Sequence, residues 1–288
     1  MMFYFTDIHG NLDLFEAVMQ IVGNEFLIFG GDACDRGDHG YEIMKSLLNR
    51  EHTIYIKGNH EDMFVKAAYA IYQHVKDGEL DPAFFHDTAY EWFNHDEDIA
   101  LCLYNGGLQT LTDWINDGMS MAFVRQIEIL PVHYSTDHYD FCHAGCMREC
   151  FERATWDYYD AYSAIWDRKH FNYAWIPGRR LIHGHTPVES MPGKWRCSNL
   201  PILYCGGGKL NMDGGAHYLG QTFVWEVGTD NYWRIKRYGN DFIDTQTIQP
   251  MDRTQKPYFD FKTGEMFNGP THFMDDGDDP DSPFDIDG

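Results

Sequence analysis

The chain has 288 residues, 43% of them hydrophobic and 16% aromatic, which is enough apolar material for one elaborated domain or two small ones. With 45 acidic and 22 basic residues its formal net charge is −23, which excludes a long groove that binds nucleic acid by neutralising phosphates. The odd count of seven cysteines predicts reduced thiols in a cytoplasmic protein rather than a disulfide framework.

The first strand is predicted at Phe3 to Phe5, and a helix with Asn11 as its N-cap follows from Leu12. Because the first strand begins so early, we expect no signal peptide, and no apolar run is long enough to cross a membrane. Further strands are predicted at 25–29 and 53–56, with a helix around 43–48 between them. This alternation predicts βαβ units and a sheet of parallel character.

Residues 62–130 form a predicted helical insertion that covers one side of the sheet and sets substrate preference. Its helices are expected at 63–75, 84–93, 108–115 and 119–129, with a break at 105–107. Strands return at 132–134, 139–142 and 180–182, and the runs 222–227 and 232–237 are predicted as hairpins of a second sheet. We therefore predict a domain over 1–240 and a C-terminal extension over 241–288, with a disordered acidic tail at 274–288.

Five polar loops follow strand-like runs, and in parallel sheets such loops gather at the carboxyl ends of the strands. They are Asp7-x-His9, Gly31-Asp32-x-x-Asp35-Arg36-Gly37, Gly58-Asn59-His60-Glu61, His143-Ala144-Gly145 and Gly184-His185-Thr186. Their carboxylate, amide and imidazole groups suit two divalent metal ions that share a carboxylate, and a guanidinium suits phosphate. Two such ions hold the attacking and leaving oxygens of an in-line displacement. The Gly31 to Gly37 loop alone is also compatible with a structural salt-bridge turn.

This ordered set of loops resembles the phosphoprotein phosphatase family of metallophosphoesterases, particularly its bacterial and phage serine/threonine phosphatases. The resemblance covers residues 1–240 and implies an α/β sandwich of two mixed sheets flanked by helices, the metallophosphoesterase or calcineurin-like fold. It implies a first metal held by Asp7 and His9, a bridging Asp32, and a second metal completed by Asn59, His143 and His185.

The same resemblance implies hydrolysis of a phosphomonoester by an activated water, without a covalent phosphoenzyme. His60 would be the general acid that protonates the leaving alkoxide, held in its tautomer and charged state by Asp35. Arg36 and Arg168 would bind the phosphate oxygens of a phosphoprotein or a small phosphoester. The expected cofactors are two divalent ions, with Mn²⁺ favoured and Fe or Zn compatible. Oligomeric state stays open.

The chain departs from the family pattern at Thr6, Cys34 and Lys57, none of which removes a ligand, although Cys34 could make the site sensitive to oxidation. His183 lies two residues before His185 on the same strand face and is an alternative or additional ligand; the Gly-His-Thr context favours His185.

Other polar residues receive a structural interpretation. Glu61 is expected to orient its loop and Asp213 to belong to a turn. A zinc site at Cys142, Cys146 and Cys150 is disfavoured, because the spacing is not that of a zinc knuckle.

Two alternatives to a protein serine/threonine phosphatase remain. One is a symmetrical dinucleoside polyphosphate hydrolase of the same fold; such relatives typically lack the second Asp of the Asp-Arg-Gly loop and carry Gly-Asn-His-Asp, whereas this chain has Asp35 and Glu61. The other is a non-catalytic relative that binds a partner, which the intact ligand set disfavours.

Overall fold

The computed structural model describes residues 1–152, 155–191, 199–239, 242–252, 258–260 and 265–267. Two six-stranded mixed sheets pack against each other within this part of the chain. The strands are β1 Met2–Phe5, β2 Phe26–Phe29, β3 Thr53–Tyr55, β4 His133–Ser135, β5 Tyr139–Cys142, β6 Arg180–His183, β7 Ile202–Tyr204, β8 Lys209–Asn211, β9 Gln221–Glu226, β10 Tyr232–Tyr238, β11 Phe242–Ile248, β12 Met251–Asp252, β13 Tyr258–Asp260 and β14 Glu265–Phe267.

Helices lie on the outer faces of both sheets, so the predicted α/β sandwich of two mixed sheets is confirmed. The helices are α1 Leu12–Val22, α2 Gly40–Asn49, α3 Asn59–Lys76, α4 Phe85–Thr88, α5 Glu97–Tyr104, α6 Leu108–Asn116, α7 Met121–Glu128, α8 Arg148–Glu152, α9 Tyr158–Trp166 and α10 Ala216–Leu219.

The first sheet has the order β11-β10-β9-β1-β2-β3. Its β1, β2 and β3 are parallel, as the alternation of strands and helices predicts. Side chains alternate across β1: Phe3 and Phe5 pack against the helices, whereas Tyr4 faces the second sheet. Because the three strands run in one direction, the loops that follow them meet at one edge of the sheet.

The prediction that 222–227 and 232–237 belong to the second sheet is wrong. β9 pairs antiparallel with β1, and β10 and β11 extend the first sheet beyond it. Pairing with β9 covers the free edge of β1, and it buries Phe223, Val224 and Trp225. The sheet also continues past residue 240, where the sequence pattern fades, because β11 forms a seven-residue ladder with β10.

The second sheet has the order β12-β7-β8-β6-β5-β4. β5 and β6 are parallel, so the loops that carry His143 and His185 follow neighbouring strand ends. The tail at 274–288 lies outside the described residues, and the division of the chain at 240 stays a prediction. No helix in the described ranges is long and apolar enough to cross a membrane.

The insertion is helical as predicted, and it also contains α5, which the sequence patterns did not reveal. The predicted break at 105–107 separates α5 from α6. The predicted loop at 57–61 is shorter than expected, because α3 begins at Asn59 and includes His60 in its first turn. Asn11 precedes α1 but does not cap it through its side chain; its amide instead donates to the carbonyls of Ile8 and His9.

The three cysteines of the disfavoured zinc site are buried on the outer face of the second sheet. Cys142, Cys146 and Cys150 pack there with Trp175 and Leu181. Among the described residues, neither group of potential metal ligands includes these cysteines.

Lys209 in β8 is a fully buried amine beside these thiols. Its Nζ donates to the carbonyl of His170 and lies 5.7 Å from the centre of the Trp175 ring. Burial lowers the pKa of Lys209 to about 8, because the charged amine loses its water, and nearby thiol groups offset this only in part. Above about pH 8, this side chain therefore carries a proton more often in the unfolded chain than in the folded one.

We predict that Lys209→Met removes a pH-dependent contribution to stability. The contribution of Lys209 to the free energy of unfolding should increase from about pH 8 to 10.5, where this side chain is protonated only in the unfolded chain. The stability difference, variant minus native, should fall by about 2 kcal/mol between about pH 7 and pH 10 in urea unfolding. Lys169→Met, at an exposed lysine, is the control; equal pH slopes for both variants would contradict the prediction.

Candidate metal centre

The six predicted metal ligands are buried at the carboxyl ends of strands from both sheets. Asp7 and His9 follow β1, Asp32 follows β2, and Asn59 begins α3 after β3; His143 and His185 follow β5 and β6. The potential ligand atoms form two groups, and within each group all atoms lie within 4.8 Å of one another. Asp32 belongs to both groups. One group adds His143 and His185, and the other adds His9 and His60.

The first of these groups has the spacing of ligands around one metal ion. Asn59 Oδ1 lies 3.0 Å from both His143 Nε2 and His185 Nδ1, and these two nitrogens are 3.2 Å apart. His143 Nε2 is 3.3 Å from Asp32 Oδ2. Metal–ligand bonds of about 2.0–2.2 Å place neighbouring ligand atoms roughly 3 Å apart. The donor set therefore fits a divalent ion with mixed oxygen and nitrogen ligands.

The orientation of His143 also suits a ligand. Its Nδ1 lies 2.9 Å from the carbonyl oxygen of Gly30, and since a carbonyl only accepts, Nδ1 carries a proton and Nε2 faces the other ligands. Burial lowers the pKa of His143, but the carboxylates of Asp32 and Asp7 outweigh it and raise that pKa to about 10. Without a cation the site thus keeps a proton on His143, which a metal ion would replace.

The second group places His9 and His60 on the other side of Asp32. His9 Nε2 is 3.6 Å and His60 Nε2 is 3.9 Å from Asp32 Oδ2. Nδ1 of His9 donates to the carbonyl of Cys34, so Nε2 faces the centre here too. The guanidinium of Arg36 lies against both rings, with Nη1 3.0 Å from His9 Nε2 and Nη2 3.0 Å from His60 Nε2.

Asp35 and His60 form a buried pair. His60 Nδ1 donates to Asp35 Oδ2 at 2.8 Å, and both side chains are almost completely buried. This contact fixes the tautomer of His60 and points its Nε2 toward Arg36 and Asp32. The structure thus brings the predicted acid and its predicted partner together, and it also places His60 close enough to Asp32 to be a ligand.

Asp7 lies among other negative charges. The backbone N–H of His185 donates to its carboxylate at 3.1 Å, and the Thr6 hydroxyl donates to the same carboxylate at 2.6 Å. Thr6 thus has a role at a position where the resemblance expects glycine. Burial, followed by the charge of Asp213, raises the pKa of Asp7 well above its usual value. A bound cation would relieve this surplus of buried negative charge.

The two candidate histidines after β6 have different surroundings. His185 joins the ligand atoms, and its Nε2 is buried without a hydrogen-bond partner among the described residues. His183 points elsewhere: its Nε2 contacts the Tyr204 hydroxyl at 2.7 Å and its Nδ1 the carbonyl of Gly184. Burial and the charges of His143 and Arg168 lower the pKa of His185, which favours the neutral form that a metal ligand requires.

The two predicted phosphate-binding arginines differ in position. Arg36 is half-buried at the centre, whereas Arg168 is exposed and acts on the site through its charge near His185. Cys34 is fully buried, and burial followed by the charge of Asp35 raises its pKa well above the usual value. A protonated, inaccessible thiol is unreactive, so the expected sensitivity of Cys34 to oxidation is not supported.

Backbone strain is concentrated in these loops. Nine non-glycine residues in the described ranges have positive φ angles, and most of them are predicted site residues. They are Asp7, His9, Asp32, Asp35, Arg36 and His185, with φ between 46° and 67°. Left-handed backbone costs about 1–3 kcal/mol at each such residue and persists only where surrounding contacts enforce it.

Backbone hydrogen bonds supply part of that enforcement. The N–H groups of Asp7 and His9 donate to the carbonyls of Gly31 and Asp32, which joins the first loop to the second. Two glycines allow the close approach of carboxylates: a Cβ at Gly58 would lie 2.1 Å from an oxygen of Asp32, and one at Gly184 only 1.9 Å from Asp7. The glycines of both motifs are therefore steric requirements of the site.

Glu61 holds the Asp32 loop in place, as the sequence predicts. Its Oε2 accepts from the N–H groups of Asp32 and Gly58, and its Oε1 accepts from Ala33 N–H and the Tyr55 hydroxyl, all at 2.7–2.8 Å. All four contacts are buried. Both carboxylate oxygens are thus occupied by donors, and Glu61 acts on the site by positioning Asp32.

Sequence reasoning missed three residues around Arg36. The Thr110 hydroxyl accepts from Asp35 N–H at 3.1 Å, and the carbonyl of Gly106 accepts from Arg36 N–H at 3.0 Å. Both belong to the helical insertion, which therefore fixes the Asp35–Arg36 loop. The exposed ring of Tyr218 lies 5.5 Å from the Arg36 guanidinium. These contacts join residues that are far apart in the sequence, and one of them uses only backbone atoms. No sequence motif could therefore reveal them.

We predict that Glu61→Gln loosens the site. The glutamine amide group would face an N–H donor in place of one carboxylate oxygen, so we expect a loss of about 1–3 kcal/mol in the free energy of unfolding. Mn²⁺ affinity, measured by titration calorimetry, should weaken about 10- to 100-fold because Asp32 is no longer held. Asp62→Asn is the control, since the Asp62 side chain pairs with Lys66 at the surface. Effects no larger than those of the control would refute this role.

Comparisons with solved structures give similar folds at low identity. A putative diadenosine tetraphosphatase has 11% identity and a TM-score of 0.47 over 85% of this chain and 92% of its own. A cold-active protein-tyrosine phosphatase of the psychrophile Shewanella sp. has 15% identity and a TM-score of 0.49 over 86% of this chain and 80% of its own. A protein serine/threonine phosphatase from Saccharomyces cerevisiae has 13% identity and a TM-score of 0.45 over 90% and 82%.

These structural similarities are too remote to indicate a substrate, and no curated protein matches the chain. The sequence of residues 3–189, however, matches the family model of the calcineurin-like phosphoesterases. That span includes all six predicted metal ligands and Arg36, His60 and Arg168. The chain therefore belongs to the calcineurin-like phosphoesterase family, whose members are phosphoester hydrolases with a dinuclear divalent metal site.

Proposed function

We propose that this protein is a metal-dependent phosphomonoester hydrolase that acts on phosphoserine and phosphothreonine in proteins. The observation that carries the proposal is the Asp35–His60 pair, 2.8 Å apart and next to both Asp32 and Arg36. It supplies a proton donor for an alkoxide leaving group beside a guanidinium that suits phosphate.

Two divalent ions, with Mn²⁺ as the favoured species, belong to this proposal. Asp7 and His9 would hold the first ion, Asp32 would bridge, and Asn59, His143 and His185 would complete the second. Such a pair supplies Lewis acidity and a water that loses its proton near neutral pH. The close contacts among Asn59, His143 and His185 support the assignment of the second ion.

His60 is assigned to the proton transfer. With Nδ1–H held by Asp35, a second proton on Nε2 gives an imidazolium that the Asp35 carboxylate stabilises. That Nε2 proton passes to the oxygen of the departing serine or threonine as the P–O bond breaks. The net reaction adds one water to the phosphoester and releases an alcohol and inorganic phosphate.

Arg36 and Arg168 are assigned to the phosphate. The Nη1 and Nη2 atoms of Arg36 lie 3.0 Å from His9 Nε2 and His60 Nε2, so the guanidinium is held beside both rings. A guanidinium in this place would bind two phosphate oxygens in a bidentate manner once its N–H groups turn from the two histidines to the substrate. Arg168 adds positive charge near His185. In a chain of net charge −23, these arginines provide the local attraction that a phosphate dianion needs.

We predict that His60→Asn selectively impairs substrates with poor leaving groups. Turnover of a phosphoserine peptide should fall about 10²- to 10⁴-fold, because an alkoxide must be protonated as it leaves. Turnover of p-nitrophenyl phosphate should fall far less, since p-nitrophenolate leaves as an anion. Asp35→Asn should show the same selectivity to a smaller degree.

His39→Asn serves as the matched control, because His39 is an exposed histidine of the same region that pairs with Glu42. Metal content, measured together with the rates, distinguishes the two possible roles of His60, general acid and metal ligand. An equal loss on both substrates together with loss of bound metal would make His60 a ligand and contradict the assignment as the acid.

The experiment that tests the proposed function is a substrate panel on the Mn²⁺-loaded protein. It compares a phosphoserine peptide, a phosphotyrosine peptide, p-nitrophenyl phosphate and diadenosine tetraphosphate by kcat/KM. We expect the phosphoserine peptide to be the preferred phosphopeptide and to be preferred over diadenosine tetraphosphate. Preference for diadenosine tetraphosphate would favour the dinucleoside polyphosphate hydrolase, and no turnover of any member would favour the non-catalytic relative.

A further inference from the structure

A row of aromatic rings, exposed at Tyr158 and Tyr162 and partly buried at Trp166, leads along α9 to the candidate metal centre. Tyr158, Tyr162 and Trp166 are four residues apart, which places them on one side of the helix. The ring centres of Tyr158 and Tyr162 are 6.3 Å apart, and those of Tyr162 and Trp166 are 6.1 Å apart, with planes inclined by only 26° and 24°. Trp166 then meets the edge of His185 at 6.3 Å.

Folding alone does not account for this row. Tyr158 and Tyr162 are 70% and 47% exposed, so they contribute little to the core beneath the helix. Aligned exposed rings on a water-facing helix are typical of a surface that binds another molecule. Their continuity with His185 connects that surface to the candidate metal centre.

The spacing of the rings matches an extended polypeptide. A strand rises about 3.2–3.4 Å per residue, so side chains on one face recur roughly every 6.6 Å. Neighbouring ring centres are 6.1–6.3 Å apart. Every second side chain of an extended peptide would therefore lie against the next ring of the row. Stacked bases of a nucleic acid are about half as far apart.

Charge indicates which side chains would lie there. The net charge of the chain is −23, and Lys66, the cation beside Tyr158, is already paired with Asp62 at 2.9 Å. Aromatic faces attract cations, and arginine more often than lysine. Arginines on the bound segment thus suit both the rings and the negative net charge of the chain.

We propose that this row binds an extended basic segment of the phosphoprotein substrate, with arginines at the second, fourth and sixth positions from the phosphorylated residue. The inference rests on the proposed function, and it assigns a sequence preference to the same site. The phosphorylated side chain and the even-numbered side chains share one face of the extended segment, so Trp166, Tyr162 and Tyr158 would contact them in that order.

The test compares two phosphoserine peptides of equal composition on the Mn²⁺-loaded protein. One has arginines at positions two, four and six on both sides of the phosphoserine; the other has them at positions one, three and five, with alanine elsewhere. We expect the even-position peptide to have a kcat/KM about tenfold higher, since only its arginines face the rings.

The double variant Tyr158→Leu/Tyr162→Leu should remove that tenfold difference and leave p-nitrophenyl phosphate turnover unchanged. Tyr159→Leu is the matched control: Tyr159 is 76% exposed on the same helix, but its ring is inclined by 79° to Tyr158 and lies outside the row. Equal kcat/KM values for the two peptides with the native protein would overturn the inference. So would a loss of the tenfold difference in Tyr159→Leu as large as the loss in the double variant.

A binding measurement separates this inference from the proposed function. Fluorescence anisotropy with the unphosphorylated even-position peptide and metal-free protein should show binding that the double variant loses and Tyr159→Leu keeps. If that binding is seen but no phosphopeptide is hydrolysed, the proposed function fails and the binding surface stands. Displacement of the peptide by oligodeoxythymidine would instead make the row a base-stacking surface and refute a peptide site.

Discussion

The charge of a single carboxylate, Asp32, determines the arrangement of the site. It is 2% exposed, and a buried carboxylate is stable only where cations or hydrogen-bond donors surround it. His9, His60 and His143 face its Oδ2 at 3.3–3.9 Å, and the backbone N–H of His60 donates to its Oδ1 at 3.1 Å. Burial would raise the pKa of Asp32, but these partners hold it well below its usual value. Both groups of ligand atoms consequently meet at one oxygen.

The strained loops are the structural consequence of that convergence. Asp32, Asp35 and Arg36, three functional side chains of one loop, all have left-handed backbone and lie at the centre. Glu61 and the helical insertion hold this loop from two sides, through contacts to Asp32 and Arg36. The conformational cost is met by two large apolar cores, one between the sheets and one under the helices of the first sheet. The result is a rigid, preorganised site.

The sequence predicted the convergence of the polar loops better than the sheets that carry them. The candidate ligands could be expected to meet because each follows an apolar strand, and parallel strands bring their carboxyl ends together whatever the remaining topology. The partner of a strand is not encoded in its alternation, so 222–227 and 232–237 were assigned to the wrong sheet. The direction of a side chain could not be predicted either. The sequence does not show whether Asn11 caps the helix or donates to the preceding loop, as it does in the structure. It also does not reveal that the Thr110 hydroxyl accepts from Asp35 N–H.

We propose that Asp32 would be shared by two divalent cations held by these loops. This proposal is tested most directly by anomalous scattering from crystals of the protein soaked in Mn²⁺. The account predicts two manganese peaks about 3.5–4 Å apart, each within about 2.2 Å of an oxygen of the Asp32 carboxylate. A single peak, or two peaks that do not share Asp32, would contradict it.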